Sequence, residues 1–364
     1  MAGDGPEMDV VVAVPKVPAR RGPRHSRSVR ARSRLKGTEQ RSGIMVVTQS
    51  PVVTTALEAA VRAPSPHNAQ PWIFELAPDV IDLILDEDRI LGVCDPDGRE
   101  ARLACGAALF NLEVAIAVAG RVADVELAPE RDRPSLLARV ELGPRHRPSP
   151  AERRLATAVP RRFSNRRPFT DQAVPPAARA AVVQAAHEEG AGLVLLDEHG
   201  LLEPVAALIR RADHTQTQDK AFRAELRAWA KGHGGDDGVP DSAGGPRSAG
   251  GLLPVRHFAG SEEIRVFEQD PLVAVLTTPS DGSLSQVRAG RAMQRVLLTA
   301  CDAGLSASFY SQPMEIPSTQ AELRALLGGA VHPQTVFRLG YGYPGVPTPR
   351  RPIDAVVRER RGAR

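Results

Sequence analysis

The segment Glu100–Gly120 constrains the fold of this chain more than any other part of the sequence. Apolar and small side chains surround it on all sides, interrupted only by Arg102, Asn111 and Glu113. A helix that is apolar all round must be buried, so the segment predicts a central helix covered by other elements. A chain of 364 residues is long enough to bury it in one large domain or in two ordinary ones.

A second long helix, predicted at Gln286–Gly304, repeats the pattern of the first. The step from Gly106 to Gly120 equals the step from Gly290 to Gly304, and both helices follow an apolar strand and end at an Ala-Gly pair. Small residues on matching faces allow two such helices to pack closely. The repeat indicates either an internal duplication or a coincidence between two Ala-rich helices.

Shorter periodic segments surround both helices. In the first half the pattern predicts a helix at Pro51–Arg62 and strands at Trp72–Leu76, Val80–Asp86, Arg121–Leu127 and Leu137–Leu142. In the second half it predicts helices at Pro175–Glu189, Leu201–Arg211 and Lys220–Lys231, and strands at Leu193–Asp197, Leu272–Thr278 and Thr335–Tyr341. The segment Gly232–Gly251 contains eight glycines and is expected to hold no fixed element.

The net charge of +4 originates in the N-terminal tail. Residues 1–44 carry ten basic and four acidic side chains, so the rest of the chain has a slight excess of acid. The tail is expected to be disordered, as a solvated segment, a nucleic-acid or membrane arm, or a stretch upstream of a natural start at Met45. With aromatic residues at only 4%, a stacking platform for single-stranded nucleic acid is not expected.

Several classes of site are not expected. Cys94, Cys105 and Cys301 are isolated, which indicates a reducing cytoplasm and no structural disulfide. The nine histidines are scattered, so no metal site is predicted, and no apolar run is long enough to predict a membrane span. Gly340–Gly345 spells GxGxxG after a strand, but the prolines that follow exclude the helix a dinucleotide site requires.

The first polar motif lies at Arg62–Trp72. Ser65, His67, Asn68 and Gln70 stand among three prolines that hold the backbone extended. Such a loop presents fixed donors and acceptors to a flat heterocycle, or else satisfies the backbone around it.

The second motif is the arginine-rich segment Arg161–Phe169. In an extended chain Arg162, Ser164 and Arg166 point to the same side, where two guanidinium groups and a hydroxyl suit a phosphate monoester. The alternative is a solvated basic turn. The pair at 350–351 after the final strand could close over the same phosphate.

Together these motifs resemble the nitroreductase superfamily of flavoproteins, and most closely its Acg-like branch, in which one chain carries two nitroreductase-like halves. The resemblance rests on APSPHNAQPW, RRFSNRRPF, DAGL, GYG and PRRP, and covers residues 48–357. It implies an α+β fold of two pseudo-symmetric halves, at 45–150 and 151–364, each with a mainly antiparallel sheet packed on long central helices.

The resemblance also implies bound FMN, reduced by NAD(P)H as a transient co-substrate and reoxidised by a small-molecule acceptor. The implied cofactor-binding residues are Ser65, His67, Asn68, Gln70, Arg162, Ser164, Asn165, Arg166, Arg167, Gly304, Ser306 and Arg351. Each of the two polar motifs occurs once in the ordered body, so one FMN per chain is expected. Whether the chain is a monomer or a homodimer stays open.

An insertion at about residues 212–260 resembles the lid of the Acg-like branch, with Trp229 as a candidate plug and the following glycines as a hinge. The alternative is a surface loop. A lid leaves two functions open, an FMN-dependent oxidoreductase and a protein that sequesters FMN.

Overall fold

The computed structural model describes residues 50–230, 234–258 and 262–360, and the tail at 1–44 lies outside them. The helices are α1 (Pro51–Ala60), α2 (Arg99–Val118), α3 (Pro150–Ala158), α4 (Pro176–His187), α5 (Leu202–Gln218), α6 (Lys220–Trp229), α7 (Asp241–Gly244), α8 (Ser283–Asp302) and α9 (Pro317–Leu326). The strands are β1 (Trp72–Ala77), β2 (Val80–Leu85), β3 (Arg121–Leu127), β4 (Leu136–Arg145), β5 (Gly192–Leu195), β6 (Arg247–Gly250), β7 (Ile264–Val266), β8 (Leu272–Thr278), β9 (Ser306–Phe309), β10 (His332–Gly340) and β11 (Val357–Glu359).

The two long helices α2 and α8 cross in the centre of the protein, where their backbones touch. A Cβ atom on Gly106 would overlap the carbonyl of Val287, and one on Gly290 would overlap the carbonyl of Leu103. Both positions therefore require glycine because of the close approach. The expected close packing of two helices with matching small residues is confirmed at this crossing.

The polar residues that interrupt α2 all bond to side chains of α8. The pairs are Arg102 with Gln286, Asn111 with Gln294, and Glu113 with Arg291. Asn111 is fully buried and also donates to the carbonyl of Ala59 at the end of α1. These bonds satisfy polar groups inside an apolar interface and fix which face of α8 meets α2.

The strands form two larger sheets, one for each half of the chain. The first has the order β11-β1-β2-β4-β3, and the second has the order β5-β8-β10-β9. Their pairings are antiparallel except that β11, at the end of the chain, lies parallel to β1. The fold is therefore α+β, and the sheet of the first half is completed by the last strand of the chain.

The glycine-rich segment at 232–251 contains fixed elements, so the expectation that it holds none is wrong. Helix α7 and strand β6 lie within it, and β6 pairs with β7. Gly245 has a φ of +77°, and a Cβ there would lie 2.5 Å from the carbonyl oxygen of Arg166. This glycine serves close packing on the arginine-rich segment, which composition alone cannot distinguish from flexibility.

Helix α2 has the length and mean hydropathy of a membrane span. Within the apolar window that gives it this character, 83% is buried inside the protein. The rest of the fold thus provides the apolar surroundings that the composition of this helix demands.

Alanine at the helix crossing tests the packing. We expect Gly106→Ala and Gly290→Ala each to lower the free energy of unfolding by about 1–3 kcal/mol, because the added methyl has no space. Gly92→Ala is the matched control, since nothing lies within 4 Å of a Cβ there. Urea denaturation measures all three, and equal stabilities of the three variants would contradict the close crossing.

Candidate functional site

A cavity with about 800 Å³ of open space lies between the loop after α1 and elements of the second half of the chain. Its polar lining includes Ser65, His67, Glu100, Ser164, Arg166 and Arg256. Its apolar lining includes Leu103, Ala104, Met293 and Phe309. Both long helices contribute to it, α2 through Leu103 and Ala104 and α8 through Met293.

The loop after α1 reaches the cavity through a strained backbone. His67, Asn68 and Gln70 have φ values of +46°, +60° and +54°, in the left-handed region that residues other than glycine rarely adopt. The hydroxyl of Ser65 accepts from the backbone N–H of Gln70 at 2.9 Å and closes the turn. Such strain persists only where surrounding contacts enforce it, and it clusters at functional sites.

The amides of Asn68 and Gln70 do not line the cavity but join three segments of the chain. Asn68 donates to the carbonyls of Gly238 and Pro349, at 2.9 and 3.1 Å. Gln70 donates to the carbonyl of Asp236 at 2.8 Å and accepts from the backbone of Arg351 at 2.8 Å. These amides therefore hold the inserted region and the segment after β10 against the loop.

The arginine-rich segment places Ser164 and Arg166 on the cavity wall. Arg166 stacks on Phe258 with its guanidinium carbon 4.9 Å from the ring centre, and Arg162 donates to the carbonyl of Arg62 at 2.9 Å. Burial lowers the pKa of Arg162 to about 10, and burial together with Arg256 lowers the pKa of Arg166 to about 10. In both arginines, the loss of surrounding water destabilises the charged form of the guanidinium group.

Arg350, the member of the basic pair at 350–351 that was not chosen as a site residue, bonds the same backbone carbonyl as Arg162. It donates to the same carbonyl of Arg62 that Arg162 bonds, and also to the side-chain oxygen of Asn68. Burial, followed by repulsion from Arg162, Arg62 and Arg166, lowers the pKa of Arg350 to about 9. Within the described parts of the chain, none of the three arginines at 162, 166 and 350 forms an ion pair with a carboxylate.

Arg351, which the motif singled out, points elsewhere. It donates to the carbonyl of Ala355 at 2.7 Å and lies 3.7 Å from a carboxylate oxygen of Asp86. Neighbouring residues of an extended segment point to opposite sides, so a sequence pair cannot show which member faces the site.

The other four predicted residues, Asn165, Arg167, Gly304 and Ser306, are not among those that line the cavity. Asn165 donates to the carbonyl of Tyr343 at 2.8 Å and to the hydroxyl of Ser306 at 3.3 Å. Arg167 forms an ion pair with Glu263 at 3.1 Å. Gly304 has a φ of +79° and ends α8. Asn165, between Ser164 and Arg166, thus joins this segment to β9 and to the chain after β10.

Trp229, the candidate plug, is not among the cavity-lining residues. It packs with Leu91, Cys94 and Phe222, and the guanidinium of Arg89 lies 5.6 Å from its ring centre. The inserted region does reach the cavity, but through residues 255, 256 and 258.

A buried ion pair next to the cavity also escaped sequence reasoning. Arg256 donates two bonds to the carboxylate of Glu315, at 2.7 and 2.9 Å. Burial opposes the ionisation of Glu315, but attraction and hydrogen bonds from Arg256 outweigh it and lower the pKa of this carboxyl. The two residues are far apart in the chain and share no motif, so only the fold brings them together.

The same arginine determines the proton position on His67. A nitrogen of Arg256 lies 3.1 Å from Nε2 of His67, and a guanidinium can only donate, so Nε2 accepts. Burial, followed by the charge of Arg256, lowers the pKa of His67 to about 3. The neutral ring therefore carries its proton on Nδ1, which is buried and finds no hydrogen-bond partner among the residues the structure describes.

Comparison with known proteins gives the family. No family model matches the chain. It is 35% identical over 315 residues to the Mycobacterium tuberculosis H37Rv protein named "Putative NAD(P)H nitroreductase Rv3131", covering 84% of this chain and 90% of that protein. It is 32% identical over 322 residues to "Putative NAD(P)H nitroreductase acg" of the same strain, covering 85% of this chain and 96% of that protein.

These similarities show that the chain belongs to the nitroreductase family, and they confirm the resemblance carried by its motifs. Among solved structures it is similar to NfrA2 of B. megaterium, with 13% identity, a TM-score of 0.34, and coverage of 58% of this chain and 75% of that one. It is also similar to a BluB-like flavoprotein of Clostridium difficile 630, with 16% identity, a TM-score of 0.36, and coverage of 56% and 96%.

The buried ion pair gives a test of how the site is held. Arg256→Met leaves Glu315 buried and unpaired, and we expect it to cost about 3–5 kcal/mol of unfolding free energy. Adding Glu315→Gln should recover part of this loss, because no unpaired charge remains. Arg211→Met, in an exposed ion pair with Glu322, is the control and should cost no more than about 1 kcal/mol. Strictly additive losses in urea denaturation would show that the pair is not coupled.

Proposed function

We propose that this protein is an FMN-dependent NAD(P)H oxidoreductase of the nitroreductase type, with one FMN site per chain. The observation that carries the proposal is the group of three arginines at 162, 166 and 350, which have no carboxylate partner among the described residues; Arg162 is buried and the other two are half-buried. Cations withdrawn from water without a counter-charge are unfavourable, so a bound anion is the expected compensation.

The phosphate of FMN suits this place. A phosphate monoester carries about two negative charges and accepts hydrogen bonds in several directions, which guanidinium groups satisfy well. Nε of Arg162 and Nε of Arg350 are both buried without a hydrogen-bond partner among the described residues. Ser164, on the cavity wall, adds a hydroxyl donor.

The cavity itself, whose wall includes Arg166 but neither Arg162 nor Arg350, suits a flat ring system. Leu103, Ala104, Met293 and Phe309 provide an apolar surface against which such a ring can pack. Nδ1 of His67 offers one N–H donor to a ring carbonyl. When bound, FMN supplies hydride transfer between NAD(P)H and an acceptor, so the protein itself needs no nucleophile.

The three cysteines are consistent with a protein that supplies no nucleophile of its own. Burial raises the pKa of the thiols of Cys94, Cys105 and Cys301, so none is poised as a thiolate nucleophile. All three are free, in keeping with the proposed cytoplasmic location.

A second function, sequestration of FMN, is favoured by the way the cavity is covered. Val255, Arg256 and Phe258 line it from the inserted region, and the amides of Asn68 and Gln70 bond the backbone at 236–238. A cover held in this way could restrict the access of an acceptor.

Flavin reduction distinguishes the two functions. We expect the protein purified with FMN to contain one flavin per chain and to lose its yellow colour rapidly when NADPH or NADH is added without oxygen. Absorbance spectroscopy with protein quantitation measures both quantities. Persistent colour would favour sequestration, and two flavins per chain would contradict the single site.

Substitution of the adjacent arginines tests the phosphate site. Arg350→Met should weaken FMN binding about 10- to 100-fold, since a hydrogen bond to a charged group contributes about 1.5–3 kcal/mol. Arg351→Met is the matched control and should change FMN affinity little. Riboflavin, which lacks the phosphate, should bind both variants as it binds the unmodified protein. Calorimetric titration measures the affinities, and equal losses for FMN and riboflavin would place the effect outside a phosphate site.

A further inference from the structure

Arg338 of β10 is a fully buried arginine that forms an ion pair with Glu268, in the segment before β8. Its guanidinium carbon lies 4.0 Å from the ring centre of Phe169 and 5.2 Å from that of Phe267. Guanidinium groups commonly stack on aromatic rings in this way. Neither member of the pair lines the cavity, so the pair can affect a ligand there only through other residues.

The pair holds the backbone of the arginine-rich segment on both sides of Pro168. Arg338 donates from Nη2 to the carbonyl of Arg167 at 2.8 Å. The carboxylate of Glu268 accepts the backbone N–H of Phe169 at 2.9 Å. A guanidinium and a carboxylate side by side thus offer this segment the donor and the acceptor that a neighbouring strand would offer.

Two further hydrogen bonds hold the peptide groups next to these. The side-chain oxygen of Asn165 accepts the N–H of Arg167 at 3.1 Å, and the carbonyl of Pro168 accepts the N–H of Tyr343 at 3.2 Å. Each of the three peptide groups that follow Arg166 is therefore held by a hydrogen bond. The backbone thereby sets the direction in which the side chain of Arg166 leaves it.

The side chain of Arg166 has weaker contacts of its own. On the cavity wall it donates to the carbonyl of Ala243 at 3.2 Å and stacks on Phe258. An arginine loses much rotamer freedom when it is fixed on a ligand. A backbone that is already in place lowers this cost and so favours the binding of an anion.

The pair is an unfavourable way to satisfy two backbone groups. Burial lowers the pKa of Arg338 to about 9, and its Nε has no hydrogen-bond partner among the residues that the structure describes. Apolar residues of similar volume in place of a buried ion pair often leave stability unchanged or raise it. Stability alone therefore does not explain a buried ion pair at this place.

We propose that Arg338 and Glu268 are positioning residues of the phosphate site, which hold the backbone around Pro168 so that Arg166 faces the phosphate of FMN. The proposal rests on the proposed function and adds two residues to it. Both act only through the backbone of the arginine-rich segment.

Arg338→Met combined with Glu268→Gln tests the proposal without leaving a buried charge. The amide oxygen of the glutamine can still accept from Phe169, whereas the bond to the carbonyl of Arg167 is lost. We expect this double variant to bind FMN about 10-fold more weakly, roughly the contribution of one hydrogen bond to a charged group. It should bind riboflavin as the unmodified protein does, since riboflavin has no phosphate. Calorimetric titration of the flavin-free proteins measures both affinities.

Arg166→Met distinguishes a positioning role from a purely structural one. If the pair acts through Arg166, adding the double substitution to Arg166→Met should lower the affinity for FMN no further. A structural role would instead give losses that add. The comparison of four proteins, each verified as folded by urea denaturation, therefore measures the coupling directly.

Two further variants complete the design. Arg338→Lys keeps a charge opposite Glu268 but replaces the planar fork by one ammonium group, so we expect a loss of FMN affinity in the same direction. Arg139→Met combined with Asp82→Asn is the matched control. It removes the ion pair of a buried aspartate from the sheet of the first half and should leave FMN binding unchanged.

The outcomes separate this proposal from the proposed function. If the unmodified protein binds FMN no more tightly than riboflavin, the phosphate site fails, and the proposed function with it. If Arg166→Met weakens FMN binding but the double variant and Arg338→Lys bind FMN normally, the positioning role is wrong and the phosphate site stands. Equal losses for FMN and riboflavin, or a loss that persists in Arg166→Met, would also overturn the positioning role, because the pair would then support the fold as a whole.

Discussion

The backbone contact between α2 and α8 is the constraint on which the rest of the structure depends. Glycines at 106 and 290 let the two helices approach until only carbonyl groups and Cα atoms separate them. Each helix carries residues of the cavity wall, with Leu103 and Ala104 on α2 and Met293 on α8. The crossing therefore determines the width of the cavity as well as the packing of the core. Bulkier residues at this point would separate the halves of the chain that the site must combine.

The arginines around the cavity fall into two groups, which differ in whether a carboxylate neutralises their charge. Arg256 is neutralised by Glu315 and holds His67 in one tautomer, whereas the arginines at 162, 166 and 350, the first buried and the other two half-buried, have no carboxylate partner among the described residues. A protein gains no stability from cations of the second group, so their presence is better explained by a ligand than by folding.

Much of this could be predicted from sequence because the signals are local. The apolar stripe of α2, the matching glycines and the alternation in most strands are periodic patterns that depend on nearby residues. Elements with weaker patterns were missed, including α3, β9, α9 and the short strand β11. The motifs also located the two segments that meet at the cavity. They did not show that Ser65, His67, Ser164 and Arg166 line it while Asn68 and Gln70 serve as structural bonds.

Other parts of the site could not be inferred because they depend on tertiary contacts. Arg256 and Glu315 belong to no shared motif, and their pairing depends on burial and mutual distance. Whether Arg350 or Arg351 points towards Arg162 depends on how the extended segment is rotated about its axis, which the sequence does not show. Likewise, Gly245 of the inserted region packs on the arginine-rich segment, and the sequence alone does not identify that neighbour.

The position of β11 affects how the protein can be made. Strand β1 lies near the start of the described residues, and one of its neighbours comes from residues 357–359. A ribosome releases that neighbour only after about 280 intervening residues have been synthesised, so β1 must wait with an unpaired edge. The segment just before β11 also binds the loop after α1, through Asn68 and Gln70. The nascent protein therefore cannot assemble a complete binding site until the segment at residues 349–351 has been synthesised.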